Sequence, residues 1–161
     1  MEQDPHQSSR PERIEPTGFF TGIQFRPIII GVIIDTLATF ALVTAYYALF
    51  VAGELAAQGG AAEDAFARYW SSSEGLMASL ILGSLGTLIG GFYAAYKAGT
   101  LEMKHGALVG VGSIVLGLLL QSGSSETDLP DWFMAISLAA AIPAGAIGGF
   151  LAEMFKNMTR A

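Results

Sequence analysis

The stretch "PIIIGVIIDTLATFALVTAYYALFVA", residues 27–52, decides the fold class of this chain. A helix rises about 1.5 Å per residue, so roughly 20 apolar residues cross a hydrocarbon core about 30 Å thick. The stretch is long enough to span a membrane, and its one charged residue is the acid Asp35. It therefore predicts a membrane span and raises the question of what a carboxyl group does inside it.

The composition of the whole chain also indicates a membrane protein. Charged residues make up 14% of the 161 residues and hydrophobic residues 52%, whereas soluble domains carry about 25% charged residues. The net charge of -6 disfavours a nucleic-acid-binding protein, because such proteins neutralise phosphates with a basic face. The chain has no cysteine, which excludes disulfides and cysteine-ligated metals.

Three further stretches with few charges, residues 76–98, 103–122 and 132–155, predict three more spans. The fold class expected is all-α, a four-helix transmembrane bundle made of two helical hairpins. Residues 1–18 are polar and predict a disordered cytoplasmic tail ahead of a membrane domain at residues 19–157. The spacing of Ser71 and Glu74 predicts a capping box before the second span, and Asp131 is the expected N-cap of the fourth.

The distribution of basic residues predicts the orientation of the chain. Lysine and arginine are retained on the cytoplasmic side of a membrane. Arg68 alone lies in the loops after the first and third spans, and the other basic residues lie in the tail or at the opposite ends of the spans: Arg10, Arg13, Arg26, Lys97, Lys104, Lys156 and Arg160. We therefore expect a multi-pass protein of the cell membrane with both termini cytoplasmic.

The segment "AAEDAFARYW", residues 61–70, lies in the first outer loop. Ala62, Phe66 and Trp70 recur every four residues, which predicts a short amphipathic helix on the membrane surface. A solvated loop that turns helical is the alternative.

Small residues recur at helical spacing along all four spans. Helices in lipid associate by close packing of small residues and by interhelical hydrogen bonds. The glycines expected to pack between helices are Gly31, Gly83, Gly86, Gly90, Gly91, Gly106, Gly110, Gly117, Gly145, Gly148 and Gly149. Pro143 interrupts the hydrogen bonding of the fourth span and predicts a kink, either a static bend or a hinge.

Asp35 shares a helix face with Gly31, so the acid is expected to point into the bundle while Ile33 and Phe40 face lipid. It lies roughly 12 Å beyond Pro27, close to the midplane, at the depth of Gly90, Ser113 and Gly148. Because an ionised carboxyl group is costly at that depth, the acid is expected to be protonated or hydrated. Asp35, Thr39 and Ser113 form the candidate site, for which three interpretations remain: a hydrogen bond between helices, a proton or cation site, or an oligomer contact.

The motifs "GVIIDTLAT", "GGFYAAYKAG" and "HGALVGV" resemble those of a group of small four-span prokaryotic membrane proteins of unknown function. The resemblance covers about residues 20–155. The residues that correspond to the motifs of that group are Gly31, Asp35, Thr39, Gly90, Gly91, His105 and Gly106, and the resemblance implies the architecture but no activity. Members of that group often carry an arginine pair after the glycines, where this chain has Tyr96 and Lys97.

The side chains available favour no enzyme activity. His6 lies in the tail and His105 is expected at a membrane boundary, which leaves too few histidines for a catalytic triad or a histidine-bound metal. We expect no catalytic residue, no metal and no cofactor. The preferred function is a non-catalytic membrane component that packs in the bilayer with copies of itself or within a larger complex, and the alternative is a small proton- or cation-coupled transporter or channel that uses Asp35.

Overall fold

The computed structural model is helical throughout most of the residues that it describes, which are 18, 20–58, 62–122 and 129–160. The elements are α1 (Phe25–Tyr46), a π-helical turn (Tyr47–Val51), α2 (Ala52–Gln58), α3 (Ala62–Ser71), α4 (Ser73–Ala98), α5 (Glu102–Ser122) and α6 (Asp131–Arg160). No strand occurs within these ranges, and the predicted all-α class is confirmed. The tail predicted for residues 1–18 lies, except for residue 18, outside the described residues.

Four segments are long and apolar enough to cross a membrane. They are Phe25–Ala57, Ser73–Ala98, Glu102–Leu120 and Asp131–Thr159. Their outward surfaces are apolar, with Ile29 and Phe40 exposed by 61% and 72% of their area. A water-soluble bundle would carry polar side chains at such positions. The predicted four-helix bundle is confirmed, and these helices are those of a multi-pass integral membrane protein.

The four spans pack as two hairpins, α1 with α4 and α5 with α6. The main contact between the hairpins is that of α4 with α6, so the order around the bundle is α1, α4, α6 and α5. The contact of α1 with α5 is the least extensive of those between neighbours. We call the end of the bundle that carries α3 the α3 end, and the end with the α4–α5 turn the Gly99 end.

Glycines bring the helix backbones into contact. A Cβ atom built on Gly106 would overlap the carbonyl oxygen of Gly145, and one built on Gly145 would overlap that of Gly106. Seven further predicted glycines make comparable contacts: Gly31, Gly86 and Gly90 between α1 and α4, and Gly91, Gly110, Gly148 and Gly149 where α6 meets α4 or α5. Such close approach gives the dispersion contacts and short interhelical distances that hold helices together in lipid.

The packing prediction is wrong for Gly83 and Gly117. No atom lies within 4 Å of a Cβ built at either position. Both glycines lie in the halves of their spans nearer the α3 end, where the helices diverge, and both line a cavity between them. Their missing side chains therefore leave space and do not bring helices together.

Two predicted helix caps are displaced by one residue. Ser72, not Ser71, caps α4, because its hydroxyl accepts a hydrogen bond from the backbone N–H of Gly75 at 3.2 Å. At the start of α6, the carbonyl of Pro130 accepts the first helical hydrogen bonds, so Asp131 is the first helical residue and not the cap. Helix α6 also continues through Pro143. A kink or hinge there stays a prediction.

The short helix predicted within residues 61–70 is present as α3, and its position on a membrane surface stays a prediction. Its aromatic side chains pack where α1 ends and the π-helical turn begins: the rings of Phe66 and Tyr47 lie 4.9 Å apart, and the hydroxyls of Tyr69 and Tyr46 are 2.7 Å apart. These contacts hold α3 across the end of the bundle.

Candidate functional site

Asp35 points into the bundle, as its position on the face of Gly31 predicts. Its side chain is 5% exposed, whereas Leu37, two residues later, is 63% exposed. The facing helix α4 has Gly90 at this level, and a Cβ atom there would lie 2.8 Å from that of Asp35. The absence of a side chain at position 90 thus allows the backbone of α4 to lie directly against the acid.

Three hydroxyl groups surround the carboxylate of Asp35. Thr39, one turn later in α1, lies 3.3 Å from Oδ1, and Thr87 of α4 lies 3.3 and 3.2 Å from the two oxygens. Ser113 of α5 donates to Oδ2. Of the residues expected at the depth of Asp35, Ser113 reaches it, while Gly148 packs against Leu88 of α4.

The structure therefore brings together the three predicted site residues Asp35, Thr39 and Ser113 and adds Thr87, which the sequence analysis missed. A signal for Thr87 was present in the sequence. It lies four residues after Gly83 and three before Gly90, so it shares their helix face.

Two of the hydroxyls have a second acceptor in reach. Thr87 Oγ1 lies 3.0 Å from the carbonyl oxygen of Gly83, and Ser113 Oγ lies 3.0 Å from that of Val109. A hydroxyl has a single proton, so each of these groups donates either to Asp35 or to its own helix. If the carboxyl group is ionised, both can donate to it. If it is protonated, both can donate to the carbonyls, and one of them accepts the single proton of the acid.

No basic side chain among the described residues forms an ion pair with Asp35. An unpaired carboxylate inside a bilayer costs on the order of several kcal/mol. The hydroxyls offset part of this cost, and protonation or an incoming cation would remove the remainder. The site is therefore suited to exchanging a positive charge.

A cavity of about 690 Å³ begins at Asp35 and extends toward the α3 end. All four spans line it, mostly with apolar side chains such as Phe40, Leu116 and Phe133. The hydroxyl of Ser137 in its wall is buried and has no hydrogen-bond partner among the described residues. Binding cavities for small molecules measure about 300–1,000 Å³, and this one falls within that range.

Below Asp35, toward the Gly99 end, the helices are closely packed. A Cβ atom on Gly31 would lie 2.8 Å from Val109 and 2.9 Å from Ala94, two residues that are fully buried. His105 lies in the next layer, in the first turn of α5, and has no exposed area; its expected depth at the membrane boundary stays a prediction. The backbone N–H of Gln24 donates to its Nε2 at 2.9 Å, because the N-terminus of α1 lies over the start of α5.

Lys156 also lies at this closely packed end, where it connects α6 to α4 and α5. Its Nζ donates to the carbonyl of Ala95 at 3.1 Å and to Glu102 at 3.2 Å, and it lies 5.5 Å above the ring of Tyr96. Asp35 thus lies at the boundary between a closely packed half and a half with a cavity.

Within the described ranges, no group of three or more histidine, cysteine, aspartate or glutamate side chains is arranged to hold a metal ion. Comparison of the chain with protein-family models, curated proteins and solved structures gave no match. The resemblance expected from the sequence motifs stays a prediction.

Proposed function

We propose that this integral membrane protein is a small carrier that exchanges a proton or a small cation at Asp35 and couples that exchange to a solute in the cavity. The observation that carries the proposal is the position of Asp35, at the blind end of a cavity on one side and against packed glycines on the other. A binding group with access from one side is what a carrier requires in one of its two states.

Charge provides the coupling. Loss of a proton changes the end of the cavity from neutral to negative, and the apolar walls strengthen the effect of that charge on anything bound there. A solute with a positive group and an apolar body would bind the ionised form in preference to the protonated form. By linkage, its binding would release the proton, and protonation would release the solute.

The hydroxyls of Thr87 and Ser113 support rapid exchange. Because each has two acceptors in reach, the hydrogen bonds around Asp35 can be satisfied in both protonation states by rotation of O–H groups alone. No heavy atom has to move when the proton leaves. A polar network that is satisfied in both states avoids the cost of an unpaired buried group.

Access from the Gly99 end would require the contacts there to separate. They include the polar contacts of His105 with Gln24 and of Lys156 with Glu102 and the carbonyl of Ala95. These join the start of α1 to α5 and join α6 to both α5 and α4. In the second state of the carrier these contacts would open and the cavity would close at the α3 end.

A second function is supported by the same hydrogen bonds. Asp35 joins α1 to α4 through Thr87 and to α5 through Ser113, and the glycine contacts complete the bundle. In that case the protein is a non-catalytic packing component of the cell membrane, alone, as a homo-oligomer or in a larger complex, and Asp35 is structural.

Proton flux distinguishes the two functions. Purified protein in lipid vesicles with a pH-sensitive dye inside would be given a membrane potential and an aromatic cation such as ethidium as the solute, and the rate of internal pH change measured. We expect flux in the wild type and in Asp131→Asn, which makes the same chemical change in the first turn of α6. Asp35→Asn should abolish flux and keep the helical content. Equal flux in Asp35→Asn and wild type would contradict the carrier function, and loss of folding in Asp35→Asn would support the structural one.

A further inference from the structure

A second groove lies at the Gly99 end, on the outer surface where α1 begins and α4 ends. Its volume is about 440 Å³, and it is independent of the cavity above Asp35. Gln24, Phe25, Arg26, Pro27 and Ile30 form one side, and Tyr93 and Lys97 form the other. This groove has no part in the function proposed above.

Positive charge is concentrated at the rim of the groove. Arg26 and Lys97 line it from opposite sides, and no acidic side chain is among the lining residues. Neither cation forms an ion pair within the part of the chain that the structure describes, although Lys97 lies 6.0 Å above the ring of Tyr93. Two exposed like charges beside one groove repel each other, and an anion between them would relieve that repulsion.

The N-terminus of α1 adds to the positive potential. Its cap residue, Gln24, makes no side-chain hydrogen bond to the first turn, and that turn contains no acidic residue. Helix N-termini attract anions through their unpaired N–H groups and the helix dipole. The rim therefore combines two side-chain cations with an uncapped helix start.

The deeper part of the groove is apolar. Ile30 lies one turn further into the membrane than Arg26, roughly 6 Å, and Tyr93 lies one turn further than Lys97. Both sides thus change from cationic to apolar in the same direction. A ligand that matches them has a negative head and a hydrocarbon body.

We infer that this groove binds one anionic phospholipid, with the phosphate between Arg26 and Lys97 and an acyl chain along Ile30 and Tyr93. Each lysine or arginine near an anionic lipid surface contributes about a fivefold gain in affinity. The two together would give a preference of about 25-fold over a zwitterionic lipid. A soluble anion would match the rim but leave the apolar part of the groove without a partner.

The test uses the full chain in nanodiscs that contain equal amounts of phosphatidylglycerol and phosphatidylcholine. The protein is released gently, and the lipids retained are counted by native mass spectrometry. We expect the wild type to retain phosphatidylglycerol, and Arg26→Gln/Lys97→Gln to lose that preference by about 25-fold. Lys104→Gln/Arg68→Gln is the matched control, because it removes the same charge from positions outside the groove.

The reciprocal change Arg26→Lys/Lys97→Arg keeps the charge and should keep the preference. Circular dichroism of each variant checks that the helices are intact. Equal loss in the control pair would mean that overall charge attracts the lipid, which contradicts a site. Displacement of phosphatidylglycerol by inorganic phosphate would mean that the groove binds soluble anions, and that result would overturn the inference as well.

Discussion

Gly106 of α5 and Gly145 of α6 face each other with their backbones in contact, and neither position has space for a side chain. The contact is reciprocal, since each glycine lies against the carbonyl oxygen of the other. It belongs to the closely packed half of the bundle. In the other half, Gly83 and Gly117 have open space where a Cβ atom would lie, with no neighbouring atom within 4 Å of it.

This contrast predicts opposite effects of the same substitution. Gly145→Ala should destabilise the bundle by about 1–3 kcal/mol, because the added methyl group forces two backbones apart. Gly117→Ala should leave stability unchanged or raise it by up to about 1 kcal/mol, since alanine favours the helix. The free energy of unfolding, measured by titration with a denaturing detergent, checks both. Equal destabilisation by the two variants would contradict the packing described for α5 and α6.

The hydrogen bond between Thr87 and Asp35 makes a second prediction. Interhelical hydrogen bonds in membranes contribute about 0.6 kcal/mol on average and about 1.7 at most. Thr87→Val keeps the shape of the side chain and removes the hydroxyl. It should therefore lower the free energy of unfolding by about 0.6–1.7 kcal/mol. In an Asp35→Ala background, Thr87→Val should lower the free energy of unfolding by less, because the carboxylate that accepts the hydrogen bond is already absent. An equal cost in both backgrounds would show that the two residues are not coupled.

Tyr69, in α3, provides a test by pH. Burial, followed by the hydrogen bond with Tyr46, raises the pKa of the Tyr69 hydroxyl from 10.0 to about 12. Because the folded pKa is above the unfolded one, the neutral hydroxyl stabilises α3 fully below pH 10, and this contribution is lost as pH rises toward about 12. Absorbance of the phenolate, with Tyr69→Phe for assignment, measures the titration. Tyr46→Phe should lower the pKa of Tyr69, whereas Tyr93→Phe at the Gly99 end should leave it unchanged.

The ion pair of Lys156 and Glu102 predicts that substitutions of the two residues have non-additive effects on the free energy of unfolding. Both side chains are mostly buried, with 11% and 16% of their area exposed. Glu102→Gln leaves the ammonium group without its carboxylate, so it should cost more than the double change Lys156→Met/Glu102→Gln. Unfolding free energies of the two single variants and the double variant give the coupling. A double variant as unstable as the sum of the single ones would contradict it.

Orientation is testable because the chain has no cysteine. Thr100→Cys lies in the α4–α5 turn, and Ser71→Cys lies at the end of α3; both positions are exposed. With both termini cytoplasmic, a membrane-impermeant maleimide added to intact cells should label Ser71→Cys and not Thr100→Cys. Labelling of Thr100→Cys in intact cells would reverse the expected orientation.

Helix type and the inward face of α1 could be predicted from the sequence because they depend on local periodicity. The length of each apolar stretch determines whether it can span, and Asp35 shares its face with Gly31 whatever the neighbouring helices are. Ser113 was found by counting depth, which needs only the helical rise. These properties follow from one helix at a time.

The remaining features depend on how helices meet. His105 is buried because the start of α1 crosses above it, and Gly83 faces a cavity because the spans diverge there. Glycines that pack between helices and glycines that line a cavity have the same spacing in the sequence. The spacing alone therefore does not distinguish the two. The cavity itself is a property of four helices together.

The π-helical turn at Tyr47–Val51 has a consequence for insertions and deletions in this chain. A π-turn contains one residue more than the α-helical turn it replaces, so it advances the chain by about 100° relative to a continuous α-helix. Deletion of Ala48 would restore a regular helix and rotate α2 and α3 relative to α1, separating Tyr47 from Phe66 without altering any residue near Asp35. The angle at which α2 and α3 leave α1 is thus set by a single extra residue.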